Sequence, residues 1–319
     1  MIPTVLVTQP LPESLLAPLV DLCQLEVLCS GDSLATQDVA KLHGLICLLT
    51  DTIDSDLIDA MPQLAFVSSV SVGVDHVDVS ALTTRGIPLG HTPGVLVDTT
   101  ADLAFALLLS AARRLGEADR FIRGGNWLPQ ERWSPNFFLG KEVSGATLGI
   151  VGLGDIGQAV ARRASGFGMQ VLAWTPSGRQ VPGVTSASLQ AVLSSSDFVS
   201  VHVALSPDTH DLIDAAAIAA MKPGSVLINT ARGGIVDEQA LASALDSGHL
   251  YAAGLDVYAQ EPLPLDSPLL SHPRVVLAPH IGSATTQTRL RMVELAVANA
   301  VAALQGQPMP HCFNPQIYG

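Results

Sequence analysis

The chain has 319 residues, 48% hydrophobic and 14% charged, enough apolar material for two folded domains and too much for a disordered chain. Lys and Arg number 16 against 29 Asp and Glu, a formal net charge of −13. That balance argues against a nucleic-acid or anionic-membrane surface, and it leaves room for a local basic pocket that takes an anionic substrate.

The first residues, Met1 to Thr8, read as a strand. No basic segment with a long apolar run follows, so no signal peptide is expected. Strand and helix signals then alternate. Helices are predicted over Pro12–Leu22, Thr36–Leu42 and Asp54–Ala60, and strands over Glu26–Cys29, Leu45–Leu49 and Phe66–Val70. Such alternation predicts a parallel sheet with helices on its faces. Cys23, Cys29, Cys47 and Cys312 have no C-x-x-C spacing and read as small apolar residues in a reducing compartment, here the cytoplasm.

A long helix is predicted over Thr99–Gly116, with Thr99-x-x-Asp102 as its capping box. Leu103 and Phe105 to Leu109 make it apolar nearly all round, so it belongs in a core or against another subunit. Its apolar run lies between Asp102 and Arg113-Arg114 and is too short to span a bilayer. Gly124 to Gly140, which carries Trp127 and Trp133, reads as an irregular loop.

From Thr147 a second alternation begins. Strands are predicted over 148–151, 171–174, 198–203, 226–230, 252–257 and 275–278, and helices over 156–166, 188–194, 214–220 and 237–247. Asp237 is the expected N-cap of the last of these and Gly248 its stop. A final helix over Ala284–Leu304 has Ser283 as its cap candidate. Within this half, the strand Thr147 to Val151 runs straight into Gly152-Leu153-Gly154-Asp155-Ile156-Gly157. A bare G-x-G-x-x-G also occurs in ordinary glycine-rich turns. Here a strand precedes it, and a helix and a second strand, Val171 to Trp174, follow, which is the unit that binds a dinucleotide. Gly152 makes the tight turn, Gly154 admits a pyrophosphate and Gly157 lets helix and strand pack, while the helix N-terminus offers N–H groups to the phosphates. Because a complete α/β half precedes the fingerprint, the simplest architecture is a cofactor domain inserted into a first domain. Crossings near 98–101 and 283–286 would act as a hinge, with an active site expected in the cleft.

Hydride transfer to a carbonyl needs a proton donor, and histidine suits that role at neutral pH. Of nine histidines, His280 stands out because it follows the strand ending at Leu277-Ala278 and precedes Gly282-Ser283. Ligands bind at the carboxyl ends of strands in open α/β sheets. A carboxylate orients such a histidine and stabilises its imidazolium, and Glu261, just beyond the strand ending at Val257, is the candidate partner. The carboxylate of a keto acid calls for a bidentate guanidinium, and Arg232 follows the strand ending at Asn229-Thr230. Singly, each of these is an ordinary loop residue. Together they occupy three successive strand ends. No metal-ligand cluster is recognisable, and no metal is expected.

These motifs resemble the D-isomer-specific 2-hydroxyacid dehydrogenases. The matching stretches are Ser71-Val72-Gly73-Val74-Asp75, the Gly152 fingerprint, Asn229-Thr230-Ala231-Arg232-Gly233, Gly254-Leu255-Asp256-Val257 and Pro279-His280-Ile281-Gly282-Ser283, in the family's order and across nearly the whole chain. Within the family the chain is most similar to glyoxylate/hydroxypyruvate reductases, through Thr92-Pro93-Gly94-Val95, Glu261-Pro262-Leu263-Pro264 and Gly306-Gln307-Pro308. The resemblance implies two doubly wound α/β domains, a Rossmann cofactor domain over 99–284 inserted into a flavodoxin-like substrate domain over 1–98 and 285–319. It implies an oxidoreductase that reduces glyoxylate to glycolate and hydroxypyruvate to D-glycerate, with His280 as proton donor, Glu261 as its partner and Arg232 as substrate anchor. Val72 and Gly73 would hold the substrate carboxylate through backbone N–H groups, with Ser283 beside them and Trp133, or else Trp127, capping the pocket. Cofactor contacts would come from Thr100, Gly152, Gly154, Asp155, Ile156, Gly157, Pro207, Thr230, Ala231, Gly282 and Asp256, the last on the nicotinamide side. The helix from Thr99 would lie in a homodimer interface. The rival readings are another D-2-hydroxyacid or phosphite dehydrogenase of the family, and a dinucleotide-sensing corepressor-like binding protein.

Cofactor choice is read from the residues themselves. An NAD site places Asp or Glu about 20 residues beyond the fingerprint, on the ribose 2′-OH. After Asp155 the next acidic residue is Asp197, and Thr175 stands at the expected acidic position. Ser177 and Arg179 follow and are able to bind a 2′-phosphate. NADP(H) is therefore the expected cofactor, with use of NAD(H) left open. Related reductases often carry Arg where this chain has Asp155, and a carboxylate there is mildly unfavourable for a pyrophosphate.

Overall fold

A computed structural model of the protein describes residues 2–29, 32, 34, 37–130 and 133–319. The chain divides into two compact units, Met1–Leu96 with Ala284–Gly319, and Val97–Ser283.

The first unit is built on strands β1 (Thr4–Val7), β2 (Gln24–Val27), β3 (Gly44–Cys47), β4 (Phe66–Ser69) and β5 (Leu89–Gly90), in the order β2-β1-β3-β4-β5 and all parallel. Its helices before the crossing are α1 (Glu13–Leu16), α2 (Ser55–Asp59) and α3 (Val79–Thr84). Alternate strand residues serve two cores. Leu6, Leu45 and Cys47 pack with Ile58 of α2 and Leu82 of α3, while Val5, Val7 and Ile46 pack on the other side with Met292, Val293 and Ala296 of the C-terminal helix. Strands buried on both faces explain the near-continuous apolar runs in this stretch.

Several predicted boundaries shift. The helix expected over Pro12–Leu22 gives way after four residues to a 3-10 turn, Ala17–Leu19, where Pro18 removes an amide donor. The expected helix over Thr36–Leu42 is a 3-10 turn at Val39–Lys41, and Thr36 lies outside the described residues. Helix α3 and strand β5 are additional to the predicted elements.

The second unit opens with α4 (Val97–Ala112) and α5 (Leu115–Arg123). Helix α4 starts two residues before the predicted point, so Thr99 lies inside it and the expected capping box does not cap. Arg114, at φ 56°, breaks the predicted single helix into two. The remaining elements are β6 (Thr147–Val151), α6 (Asp155–Ser165), β7 (Gln170–Trp174), β8 (Thr185–Ser186), α7 (Leu189–Ser195), β9 (Phe198–Val201), α8 (Ala215–Ala220), β10 (Val226–Asn229), α9 (Glu238–Asp246), β11 (Ala252–Leu255) and β12 (Val275–Leu277). Asp237 caps α9 as expected, accepting from Gln239 and Ala240. The C-terminal helix α10 (Thr286–Leu304) belongs to the first unit, and its N-cap is Thr285 in place of the predicted Ser283.

The seven strands are parallel in the order β12-β11-β10-β9-β6-β7-β8. Order reverses at β6, which pairs with β9 on one side and β7 on the other, so a topological switch point lies at the end of β6. Helix α4 crosses one face closely: a Cβ on Gly254 of β11 would stand 2.9 Å from Leu107 Cβ. On the other face a Cβ on Gly149 would meet Val192 of α7 at 2.7 Å. Among the described residues no helix is long and apolar enough to cross a membrane.

Candidate active site

The carboxyl ends of the seven strands carry nearly all the singled-out residues of the second unit. Gly152 takes φ +103°, and a Cβ there would lie 2.5 Å from Val203 N, so only glycine makes this turn. A Cβ on Gly157 would come within 2.1 Å of Gly152 O, which sets the contact between α6 and β6. Gly154, the N-cap of α6, has nothing within 4 Å of its Cβ position and leaves open space over the first turn. Asp155 and Ile156 are the first two residues of that helix. Asp155 is exposed and complements the helix dipole, the physical reason a carboxylate is stable there.

Thr175 follows β7 directly, and Trp174 O accepts the Gly152 amide at 2.8 Å, so Thr175 stands next to the fingerprint turn. Thr175 Oγ1 and Ser177 Oγ are 3.2 Å apart, and Arg179 is exposed two residues on. Asp197, the nearest following acid, is committed elsewhere: it accepts the Thr147 amide at 3.0 Å and pairs with Lys222 at 2.7 Å, at the amino end of the sheet. Beside the switch point, His202 Nδ1 after β9 and Thr230 Oγ1 after β10 are buried without a partner among the described residues. Burial pushes His202 down to about 4, so its imidazole stays neutral. A cradle open at Gly154, orphaned polar atoms alongside and no carboxylate at Thr175 fit a dinucleotide. Pro207 is exposed in the turn Ser206–Thr209 beyond β9.

Three loops beyond β10, β11 and β12 hold the acid–base candidates. His280 Nδ1 and Glu261 Oε2 are 2.7 Å apart. Glu261 Oε1 accepts the Tyr258 amide at 3.0 Å. Burial pushes the Glu261 carboxyl up, but hydrogen bonds from His280 and Tyr258 and the charges of His280 and Arg232 outweigh it and hold the group below its ordinary value. An ionised carboxylate only accepts, so Nδ1 of His280 carries the proton and Nε2 is left for another partner. With its folded pKa lowered, Glu261 contributes stability above its unfolded pKa that is lost as pH falls through the folded value.

His280 adopts φ +53°, unusual for a residue with a side chain. Asp256 over-determines that turn. Its carbonyl accepts the His280 amide at 2.9 Å, Oδ1 accepts Ile281 N–H and Oδ2 accepts Gly282 N–H, both at 2.7 Å. Burial raises the Asp256 carboxyl, and these amide bonds offset part of the rise. Thr100 Oγ1 donates to Gly282 O at 3.2 Å, tying α4 to the same turn, and half-buried Ser283 follows it. The Arg232 loop is shaped by Asn229, whose Oδ1 accepts Ala231 N–H at 3.0 Å and whose Nδ2 donates to Arg232 O at 2.8 Å.

Two contributors went unrecognised in the sequence. Tyr258 donates its amide to Glu261 and its hydroxyl to Ala278 O at 2.9 Å, so one residue ties the Glu261 loop to the strand end before His280. Glu238 Oε1, at the start of α9, accepts the Ala259 amide at 2.6 Å. Neither has a local signal, because each acts across loops 20 or so residues apart. Trp133 and Trp127 are 82% and 61% exposed and meet none of these groups in this chain. Among the described residues no three His, Cys, Asp or Glu side chains gather to hold a metal.

Residues 105–282 match the NAD binding domain of the D-isomer specific 2-hydroxyacid dehydrogenases. The chain belongs to that family. It is 43% identical to a glyoxylate reductase of Korarchaeum cryptofilum over 99% of this chain and 97% of the relative. To a glyoxylate/hydroxypyruvate reductase B of Citrobacter koseri it is 46% identical over 89% and 88%. Among solved structures, an NADPH-dependent glyoxylate/hydroxypyruvate reductase of Sinorhizobium meliloti, in complex with NADP and malonate, superposes with a TM-score of 0.88 at 33% identity, covering 99% of this chain and 98% of the other. As a 2-hydroxyacid dehydrogenase, the chain carries its dinucleotide fingerprint and its His–Glu pair in one unit.

Proposed function

We propose that this dehydrogenase is a reductase of small 2-keto acids, taking glyoxylate to glycolate and hydroxypyruvate to D-glycerate, with NADPH as the preferred cofactor. The observation that carries the reading is the 2.7 Å pair of His280 and Glu261 at the strand ends, with the Arg232 charge acting on the same carboxylate. The dinucleotide, when bound, supplies hydride to the substrate's carbonyl carbon. Protonated His280 delivers its Nε2 proton to the carbonyl oxygen, while Glu261 holds the Nδ1 proton and stabilises the charged ring beforehand. Arg232 anchors the substrate carboxylate, and the amides of Val72 and Gly73 add donors for it. Gly152, Gly154, Ile156 and Gly157 form the phosphate cradle, with Thr175, Ser177 and Arg179 at the 2′-phosphate and Thr230, Ala231 and Pro207 along the dinucleotide. Asp256, with Gly282 and Thr100, acts first by shaping the His280 turn on the nicotinamide side.

The absence of a carboxylate at Thr175 supports NADPH. In a spectrophotometric assay with glyoxylate and hydroxypyruvate, kcat/KM is expected to be about tenfold or more higher with NADPH than with NADH, the worth of one charge-assisted hydrogen bond. Arg179→Ala should lower the NADPH value and spare the NADH value. A wild-type preference for NADH sinks this part of the reading.

On α4, the apolar residues Leu103, Ala106 and Leu109 are partly or wholly accessible beside the exposed Asp98 and Asp102, and this apolar patch supports a homodimer through that helix. The exposed Trp133 then caps a substrate pocket, and the enzyme works in the cytoplasm. Sedimentation at micromolar concentration is expected to give about twice the 33.2 kDa chain mass. A monomer there rejects the interface.

A further inference from the structure

In the loop after β4 three successive carbonyls are engaged and two successive amides are not. Ser71 O accepts Thr92 N–H at 2.8 Å, Val72 O contacts His91 Nδ1 at 3.1 Å, and Gly73 O accepts the Ser71 hydroxyl at 2.7 Å. The amides of Val72 and Gly73 donate to no atom among the described residues, and both residues are half-exposed. A loop pinned by three successive carbonyls, with two neighbouring N–H groups unspent, presents those two donors to a ligand.

Hydrogen inventory gives the pinning a direction. A carbonyl only accepts, so His91 must carry its proton on Nδ1 and donate to Val72 O. That carbonyl belongs to the same peptide unit as the Gly73 amide, so His91 both orients this amide and polarises it into a stronger donor. His91 is itself fixed. Its amide donates to His311 O at 3.0 Å, its carbonyl accepts Asn299 Nδ2 at 3.1 Å, and the Phe313 ring packs edge-on at 5.3 Å. Burial, with a smaller push from the charge of His311, lowers His91 from its ordinary value against the opposing hydrogen bond to Val72 O.

On the other carbonyl the proton order is equally forced. Ser71 spends its one hydroxyl proton on Gly73 O, so in the 2.7 Å contact of Ser69 Oγ with Ser71 Oγ the donor is Ser69. Ser69 then has only an acceptor left for His76, so His76 Nε2 donates across their 3.0 Å contact. A one-way chain therefore runs from His76 through Ser69 and Ser71 to Gly73 O. Both serines are buried, at 0% and 3% exposure.

The geometry points to Ser71 and His91 as positioning residues for the substrate carboxylate: they hold the Val72–Gly73 peptides so that their amides meet a 2-keto acid. The inference rests on the proposed keto-acid reductase reading. It adds residues that touch no substrate yet set its affinity. Binding of the carboxylate is felt alike before and during reaction, so their loss should fall on KM far more than on kcat.

The test uses full-length enzyme, with glyoxylate as substrate and NADPH binding followed by fluorescence. Ser71→Ala and His91→Phe are each expected to raise KM for glyoxylate about tenfold, one net hydrogen bond, with a much smaller change in kcat and the same Kd for NADPH. Ser71→Thr, which keeps the hydroxyl, and His91→Asn, whose side-chain amide stands near the Nδ1 position, should recover most of the affinity. Unchanged KM in both removal variants, beside an active wild type, overturns the inference and leaves the reductase reading standing. It is equally overturned if the two conservative variants fail as badly as the removals, since loop packing would then be the cause. Absence of keto-acid turnover by the wild type overturns the reductase reading and this inference with it.

Discussion

Replacing His280 by Asn is expected to lower kcat for glyoxylate reduction by about 10²–10⁴-fold, the usual worth of a positioned general acid. Asn is the informative substitution for two reasons. Position 280 sits at φ +53°, a region that Asn tolerates better than almost any residue with a side chain. The Asn side-chain amide can also donate toward Glu261 from near the Nδ1 position, so the carboxylate keeps a donor there beside the Tyr258 amide. The turn is further held by three bonds from Asp256 that do not involve the imidazole. The variant should therefore fold, bind NADPH with nearly unchanged Kd and lack only the Nε2 proton. Steady-state NADPH oxidation together with a fluorescence titration checks both halves. Turnover within tenfold of wild type removes His280 from the mechanism.

Gly233→Ala should damage both stability and turnover, and Gly234→Ala should do neither. A Cβ on Gly233 would fall 1.7 Å from the Tyr258 carbonyl carbon and 2.2 Å from Ala259 N. Those are backbone atoms of the loop that carries Glu261, so they cannot swing aside. Either the Arg232 turn or the Glu261 loop must move. Overpacking of this kind costs about 1–3 kcal/mol, and a chain of this size loses roughly 2–4 °C of Tm per kcal/mol. Because the displaced groups are Arg232 and Glu261, kcat/KM should fall more than tenfold, as misplacement of about 1 Å is able to do. At Gly234 the nearest atom to a new Cβ is Leu205 Cδ1 at 3.6 Å, an ordinary contact. Thermal unfolding by circular dichroism and a keto-acid assay on the two variants distinguish them. Equal behaviour of the pair would show that the Gly233 contact carries no such weight.

Much of this site was legible in the chain because its parts are local. The apolar run of β6, the three spaced glycines and the helix after them form one contiguous unit, and each glycine's role follows from what the neighbouring backbone must do. Arg232, Glu261 and His280 were legible for a related reason. Each closely follows an apolar strand, and in a parallel sheet every such end comes to the same edge. The missing acid at Thr175 was also a local reading, a fixed distance along the chain from the fingerprint.

Local patterns were weaker at boundaries. The helix predicted over Thr99–Gly116 is two, since its apolar periodicity carries no mark of the left-handed Arg114. The cap of α10 moved from Ser283 to Thr285 because both residue types cap helices and the path of the chain chooses between them.

By itself, then, the sequence determined the alternation of strands and helices, the dinucleotide fingerprint and the residue types at three strand ends. These follow from periodicity, turn chemistry and spacing, which act over a few residues. Tertiary structure alone decided the strand order with its reversal at β6, the clamp of Asp256 on the His280 turn, the bridge of Tyr258 and the pinning of the Val72–Gly73 loop by His91. Those contacts join residues 19 to 26 positions apart. A hydrogen bond over that span leaves no periodic trace, because its partners are brought together by the packing of whole strands and not by the residues beside them.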